Sequence, residues 1–290
     1  MKGPGFPWTA PAWPASLPRP PAPPSLGAYY ETDWARREPV RVVRSALLDT
    51  VTRVAVRALA SPRVAGLDRI AGLEPPAIFA ANHASHVDTP LLLTTLPPRF
   101  RHRSVVAAAA DYFFDRRWKA ALWAFAINAI PVERTRVTRR SIEQATSLLA
   151  DGWSLVIFPE GGRSPDGWAQ PFRGGAAYLA FHTGVPVVPV HIGGTHRMLP
   201  RSGRRLRPGT ARVTFGHSMK PEAGEDTRAF AARIERAVAE LADERSSDWW
   251  TARRRAAQGS TPAITGPQAG SWRRAWALER AQEERGSWAL

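Results

Sequence analysis

Five short apolar runs, spaced by segments of helical periodicity, decide most of what this chain can fold into. They are PAIFAA (76–81), SVVAAA (104–109), SLVIFP (154–159), VPVVPVHI (185–192) and ARVTFG (211–216). Each is rich in residues that suit a strand buried on both faces, and none alternates with polar residues as a half-exposed strand would. Between them, Ile142, Ala145, Leu148 and Leu149 share one helical face, and Phe230, Ile234, Ala237, Val238 and Leu241 share another. Buried strands separated by amphipathic helices predict an α/β fold: a mixed, largely parallel sheet flanked by helices on both faces. Sites in such folds sit where strands end and loops begin. No window approaches the roughly 18 uncharged apolar residues of a membrane span, so the chain is not expected to cross a bilayer.

The polar residues that interrupt this pattern gather at strand ends. ANHASHVD (81–88) follows the first run and precedes TPLLLTTL. Positions five apart point about 140° away from each other on an ideal helix, so His83 and Asp88 meet only in a turn. Thr89 suits an N-cap and Pro90 a first helical position, which leaves residues 82–88 as the connecting loop. In such a loop Asp88 can fix the tautomer of His83 and leave the other ring nitrogen to accept a proton. Ser85 is too close in sequence to serve as a nucleophile, and His86 reads as a bystander. An isolated His-x4-Asp also arises by chance. FPEGGRSPDG (158–167) ends another apolar run, and its paired glycines allow backbone N–H groups to converge on an anion while Arg163 adds a guanidinium. An ordinary turn with a surface arginine is the alternative. INAIPVERTR (127–136) closes an aromatic segment with Arg134, an apolar wall leading to a cation or simply core followed by surface.

Charge and the chain ends bear on partners. With 40 Lys and Arg against 25 Asp and Glu, the formal charge is +15, which favours an anionic partner: nucleic acid, an anionic membrane surface or a phosphorylated substrate. Cysteine is absent, which excludes disulfides, thiolate metal sites and an acyl-enzyme thioester. Residues 1–38 read as a disordered proline-rich tail, and 39–64 as an amphipathic helix suited either to a membrane interface or to packing on its own domain. Residues 65–247 form the expected α/β domain, and 248–290 a Trp/Arg-rich extension, either a headgroup-contacting segment or a tail wrapped on the domain.

ANHASHVD, IPVER, FPEGGRS and VPVVPV, in that order, resemble the four sequence blocks of the glycerolipid acyltransferases, among them the bacterial 1-acyl-sn-glycerol-3-phosphate acyltransferases. The resemblance covers roughly residues 65–240. Asn128 stands where the second block usually begins with Gly, and Gly162 where the third usually carries Thr; Asn tolerates positive φ, and Gly only loosens the turn. The resemblance implies His83 as general base, Asp88 as its orienting partner, and Arg134, Glu160, Gly161 and Arg163 as the acceptor's glycerol-phosphate site. It implies direct transfer from acyl-CoA or acyl-carrier protein to the free hydroxyl of 1-acylglycerol 3-phosphate, with no cofactor and no metal. Another lysophospholipid, glycerol 3-phosphate or a glycolipid would suit the same chemistry. It also implies peripheral attachment to the anionic cytoplasmic face of the cell membrane, without nucleic acid. The fourth block looks structural, its prolines suiting an edge or bulge. A basic peripheral membrane or nucleic-acid-binding protein without activity is the non-enzymatic alternative.

Overall fold

The computed structural model describes residues 26–133, 138–201, 203 and 205–283. Among them seven strands form one sheet: β1 (Arg63–Ala65), β2 (Ile78–Ala81), β3 (Ser104–Ala109), β4 (Ala129–Val132), β5 (Ser154–Ile157), β6 (Val187–Gly193) and β7 (Arg212–Phe215). Their order is β1-β7-β6-β2-β5-β3-β4. β6, β2, β5, β3 and β4 run parallel, while β7 is antiparallel to β6 and carries β1 beside it. The expected mixed, largely parallel sheet is what forms. β1 and β4 add to the five strands expected from the sequence.

Alternation along β2 shows how both faces are filled. Phe79 and Ala81 join Leu91, Leu92, Phe100 and Phe215 on one side, under the Asp88–Thr95 and Arg117–Ile127 helices. Ile78 and Ala80 join Leu148, Leu149, Phe230 and Ile234 on the other, under the Arg139–Ala150, Gly175–Thr183 and Thr227–Ser246 helices. All four β2 side chains are fully buried, so a register slip of one residue would exchange the two sets against mismatched partners.

Two prolines sit inside strands, and the ladder explains both. Pro131 lies in β4 at the end of the sheet. Val106 N–H donates to the Asn128 carbonyl (3.2 Å), so the even-numbered residues of β4 face β3 and the Pro131 nitrogen points to the free edge. Pro189 corrects the expectation that the fourth block lies at an edge, because β6 is interior, between β2 and β7. Gly216 N–H donates to the Pro189 carbonyl (2.9 Å), placing the missing donor opposite Gly216, one residue past the end of β7. No rung is lost. A Cβ at Gly216 would lie 2.7 Å from the Pro189 ring, so glycine is required there.

Residues 26–38, assigned to the tail by composition, form two short 3-10 turns, and Ala35 is fully buried. The turn at Gly27–Tyr29 lies against β4. Helical segments Val40–Leu47 and Arg53–Ala60 are joined through a π-helical turn, Leu48–Thr52. They pack on the domain through Arg44, Leu48, Val56 and Ala60, and Asp49 pairs with Arg101 and with His102 Nε2 (2.8 Å). Val42, Val43, Val51 and Val54, by contrast, are each more than half exposed.

Asn128 caps the Arg117–Ile127 helix at φ +53° and donates through Nδ2 to the buried Ser104 carbonyl (2.9 Å). Left-handed backbone favours Gly or Asn, and a buried carbonyl left unpaired costs about 1–3 kcal/mol. Asn128→Ala should therefore lower unfolding free energy by about 2–3 kcal/mol, and Asn128→Gly, which removes only the hydrogen bond, by about 1 kcal/mol less, measured by urea denaturation.

Candidate active site

The site begins at the end of β2. Asn82 donates to the Ile192 carbonyl (2.8 Å) and accepts from Ile192 N–H (2.7 Å), so its amide supplies a rung beyond the strand and pins the next residue, His83, beside β6. The following helix begins at Asp88, two residues earlier than the cap pattern suggests, with Pro90 in its first turn. Asp88 is fully buried, and its Oδ2 accepts from His83 Nδ1 (2.9 Å), Ala84 N–H (2.7 Å) and Ser85 N–H (2.8 Å). The loop between them is folded around one oxygen. With Nδ1–H committed to Asp88, Nε2 carries the lone pair; it makes no hydrogen bond among the described residues.

The third block holds His83 from the other side. His83 N–H donates to Glu160 Oε1 (2.6 Å), Ser164 N–H donates to the His83 carbonyl (2.8 Å), and the imidazole stacks on Phe158 with centroids 4.1 Å apart. Glu160, expected to touch the acceptor, is turned inward instead: it is 2% exposed, absent from the cavity wall, and its Oε2 accepts from Gln170 N–H (2.8 Å). Burial pushes its carboxyl up to about 8, against the two backbone N–H groups that favour the charged form. Gly161 holds φ +73°, and a Cβ there would come within 3.0 Å of the Arg173 guanidinium. Its N–H is spent on the Phe158 carbonyl (3.1 Å), so the turn presents Gly162 and Arg163 N–H, rather than Gly161 N–H, without a partner among the described residues.

A cavity of about 320 Å³ opens beside His83. Val106, Ala108, Phe113 and Ile127 give it apolar lining, and Arg163, Arg173 and Arg201 give it cations. Arg134 lies outside the described residues; its neighbour Glu133 lines the cavity. His86, read as a bystander, is in the wall as well, stacked on Tyr112 with centroids 5.6 Å apart. Burial, reinforced by the charge of Arg163, lowers its imidazole to about 4, so it is neutral near pH 7. Ser85 is fully buried with its Oγ accepting from Val87 N–H (3.2 Å), in keeping with a turn residue rather than a nucleophile. The N–H groups of His83, Ala84 and Ser85 are all consumed by Glu160 and Asp88. A larger cleft of about 490 Å³, lined by Arg36, Arg140 and Glu143 among others, contains no histidine. Arg173 and Arg201 had no motif to mark them; among 40 basic residues, only folding shows which converge.

Residues 61–193 match the family model described as Acyltransferase. The 1-acyl-sn-glycerol-3-phosphate acyltransferase of Pseudomonas aeruginosa is 31% identical over 180 residues, covering 61% of this chain and 65% of that protein. The chloroplastic 1-acyl-sn-glycerol-3-phosphate acyltransferase of Brassica napus is 30% identical over 154 residues, 52% of this chain and 42% of the relative. This chain thus spans about half the length of several curated relatives it matches. The crystal structure of the 1-acyl-sn-glycerophosphate acyltransferase from Thermotoga maritima shares the fold, with TM-score 0.56 and 23% identity, covering 74% of this chain and 83% of that one.

The two shifted groups act on stability in opposite directions. A folded-state carboxyl raised from 4.5 to about 8 binds its proton more tightly than the unfolded chain does, so stability falls as pH rises through that range. His86, lowered from 6.5 to about 4, makes stability rise with pH between those values and is silent above them. Between pH 6.5 and 8 the urea midpoint of the wild type should therefore fall, and Glu160→Gln should be less stable yet nearly flat over the same window.

Proposed function

We propose that this chain, whose residues 61–193 match the Acyltransferase family model, transfers a fatty acyl group from acyl-CoA or acyl-carrier protein to the free hydroxyl of 1-acylglycerol 3-phosphate. The observation that carries this reading is the 2.9 Å contact between His83 Nδ1 and Asp88 in the wall of a cavity that offers both apolar surface and arginines. An amphiphile with a phosphate needs both. His83 Nε2 takes the hydroxyl proton as the oxygen attacks the thioester carbonyl; the tetrahedral intermediate collapses, the C–S bond breaks, and the thiolate leaves with the proton from His83. The alcohol is the nucleophile, so no acyl-enzyme is required, in keeping with a chain that has no cysteine. Arg163, with Arg134 from the second block, binds the acceptor's phosphate, and this remote binding holds the hydroxyl in place. Glu160 and Gly161 shape the turn that presents Arg163.

His83→Ala should lower kcat about a thousandfold without altering liposome binding; unchanged transfer would sink the mechanism. Arg163→Ala should raise the acceptor KM roughly tenfold to a hundredfold while the donor KM stays constant, and the reverse pattern would place Arg163 on the donor instead.

Peripheral attachment at an anionic membrane surface belongs to the same proposal. Among the described residues no helix is long and apolar enough to cross a membrane. The helical segments at Val40–Ala60 turn Val43, Val51 and Val54 to solvent and keep Asp49 against the domain. A helix serving only the core would do the opposite. Each exposed valine offers on the order of 1 kcal/mol on entering an acyl boundary. Val51→Glu combined with Val54→Glu should reduce partition onto vesicles containing anionic lipid at least tenfold, measured by sedimentation, while leaving the unfolding midpoint unchanged.

A further inference from the structure

The stretch from 158 to 174, which joins β5 to the Gly175–Thr183 helix, contains neither helix nor strand. Loops of that length keep one shape only when something outside them supplies the contacts. Here part of that support comes from the C-terminal extension, beyond the residues matched by the family model, beside contacts from Glu235, Val238 and Ala239 of the Thr227–Ser246 helix. Ala169 N–H donates to the Ile264 carbonyl (3.0 Å), and Ile264 packs with Val238 and Ala239 against Ala169 and Phe172. Gly266, at φ +72°, lies so close to the Trp168 indole that a Cβ would fall 2.3 Å from it. Trp168 Nε1–H donates to the Arg274 carbonyl (3.0 Å), and Arg274 Nε donates to Asp166 Oδ2 (2.7 Å). Leu278 covers Gly167. A backbone carbonyl, an ion pair and an indole thus fix residues 166–169 from one side.

The other side of the same loop leads to the reacting histidine. Gly167 N–H donates to Ser164 Oγ (2.7 Å), Ser164 N–H donates to the His83 carbonyl (2.8 Å), and Gln170 N–H donates to the Glu160 carboxyl that accepts from His83 N–H. Arg163 lies inside this network, its carbonyl accepting from Gln170 Nε2 (3.3 Å) and Arg201 (3.1 Å). A tail wrapped on the domain for packing alone would bury its indoles, yet Trp272 and Trp276 are both more than half exposed, while Arg274 reaches Asp166 and Trp168 of the loop as well as Pro267 of the extension.

We propose that the Ser271–Glu283 helix is a clasp on the acceptor-binding loop, with Arg274 as a positioning residue that acts through Asp166 and Trp168 on the placement of Arg163. The clasp rests on the reading of Arg163 as the phosphate contact. It makes acceptor affinity depend on a segment that contributes nothing to the cavity.

The test uses the full-length chain with 1-acylglycerol 3-phosphate and acyl-CoA, together with amide hydrogen exchange at residues 161–170. Arg274→Ala should raise the acceptor KM five- to twentyfold, leave the donor KM within twofold and kcat within threefold, and speed exchange in that segment about tenfold. Asp166→Asn should do the same, and Arg274→Lys should recover most of the loss. A fall in kcat with both KM values unchanged, or wild-type KM and exchange in Arg274→Ala, would overturn the clasp. If the wild type acylates no lysophospholipid, the proposed function fails instead, and the exchange comparison still decides whether the clasp exists.

Discussion

One carboxylate oxygen organises the end of β2. Asp88 Oδ2 collects the N–H groups of Ala84 and Ser85 and the Nδ1–H of His83, so a loop that would otherwise be a set of unpaired donors closes around it. Buried donors without partners cost about 1–3 kcal/mol each, which is why this residue sits at the first position of a helix with no exposure at all. His83 is then held three times over: by Asp88 through its ring, by Glu160 through its N–H, and by Ser164 through its carbonyl. Two blocks 77 residues apart in sequence therefore fix one side chain. Pre-organisation of this kind removes the need to order the base during reaction.

Much of this was legible beforehand because it rests on local patterns. Five apolar runs became β2, β3, β5, β6 and β7, since a strand buried on both faces has little choice of side chain. Helix geometry required a turn for His83 and Asp88 to meet, the family resemblance implied that they do, and the tolerance of Asn128 for positive φ is realised at +53°. What escaped depends on partners remote in sequence. β1 has three residues and β4 contains a proline, so neither carries a strand pattern of its own; both exist because a neighbour's ladder extends to them. Pro189 suggested an edge because its missing donor is visible in sequence, while the end of β7 opposite it is not. Glu160 was expected at the acceptor because the family resemblance implied it; only the fold shows both oxygens occupied by backbone.

The N-terminal helix illustrates a related ambiguity. Its periodicity specified two faces but not which would meet the protein. The domain took the side bearing Leu48, Val56, Asp49 and a buried Arg44, whose guanidinium donates to the Ala35 carbonyl. Amphipathicity read from sequence predicts that two environments exist, and the identity of each is settled by charge partners such as Arg101 and His102 on another element.

Pro131 has a bearing on how copies of this chain behave together. The outer strand of any open sheet offers unpaired N–H and C=O groups to a foreign strand, the usual starting point for ordered aggregation. Here the outward-pointing nitrogen of β4 carries no hydrogen, Ala129, Ile130 and Pro131 are all buried, and the turn at Gly27–Tyr29 lies over them. An incoming strand would find a donor missing at the centre of a four-residue template and the approach already occupied. The end of the sheet nearest the second block is thereby a poor template for strand addition.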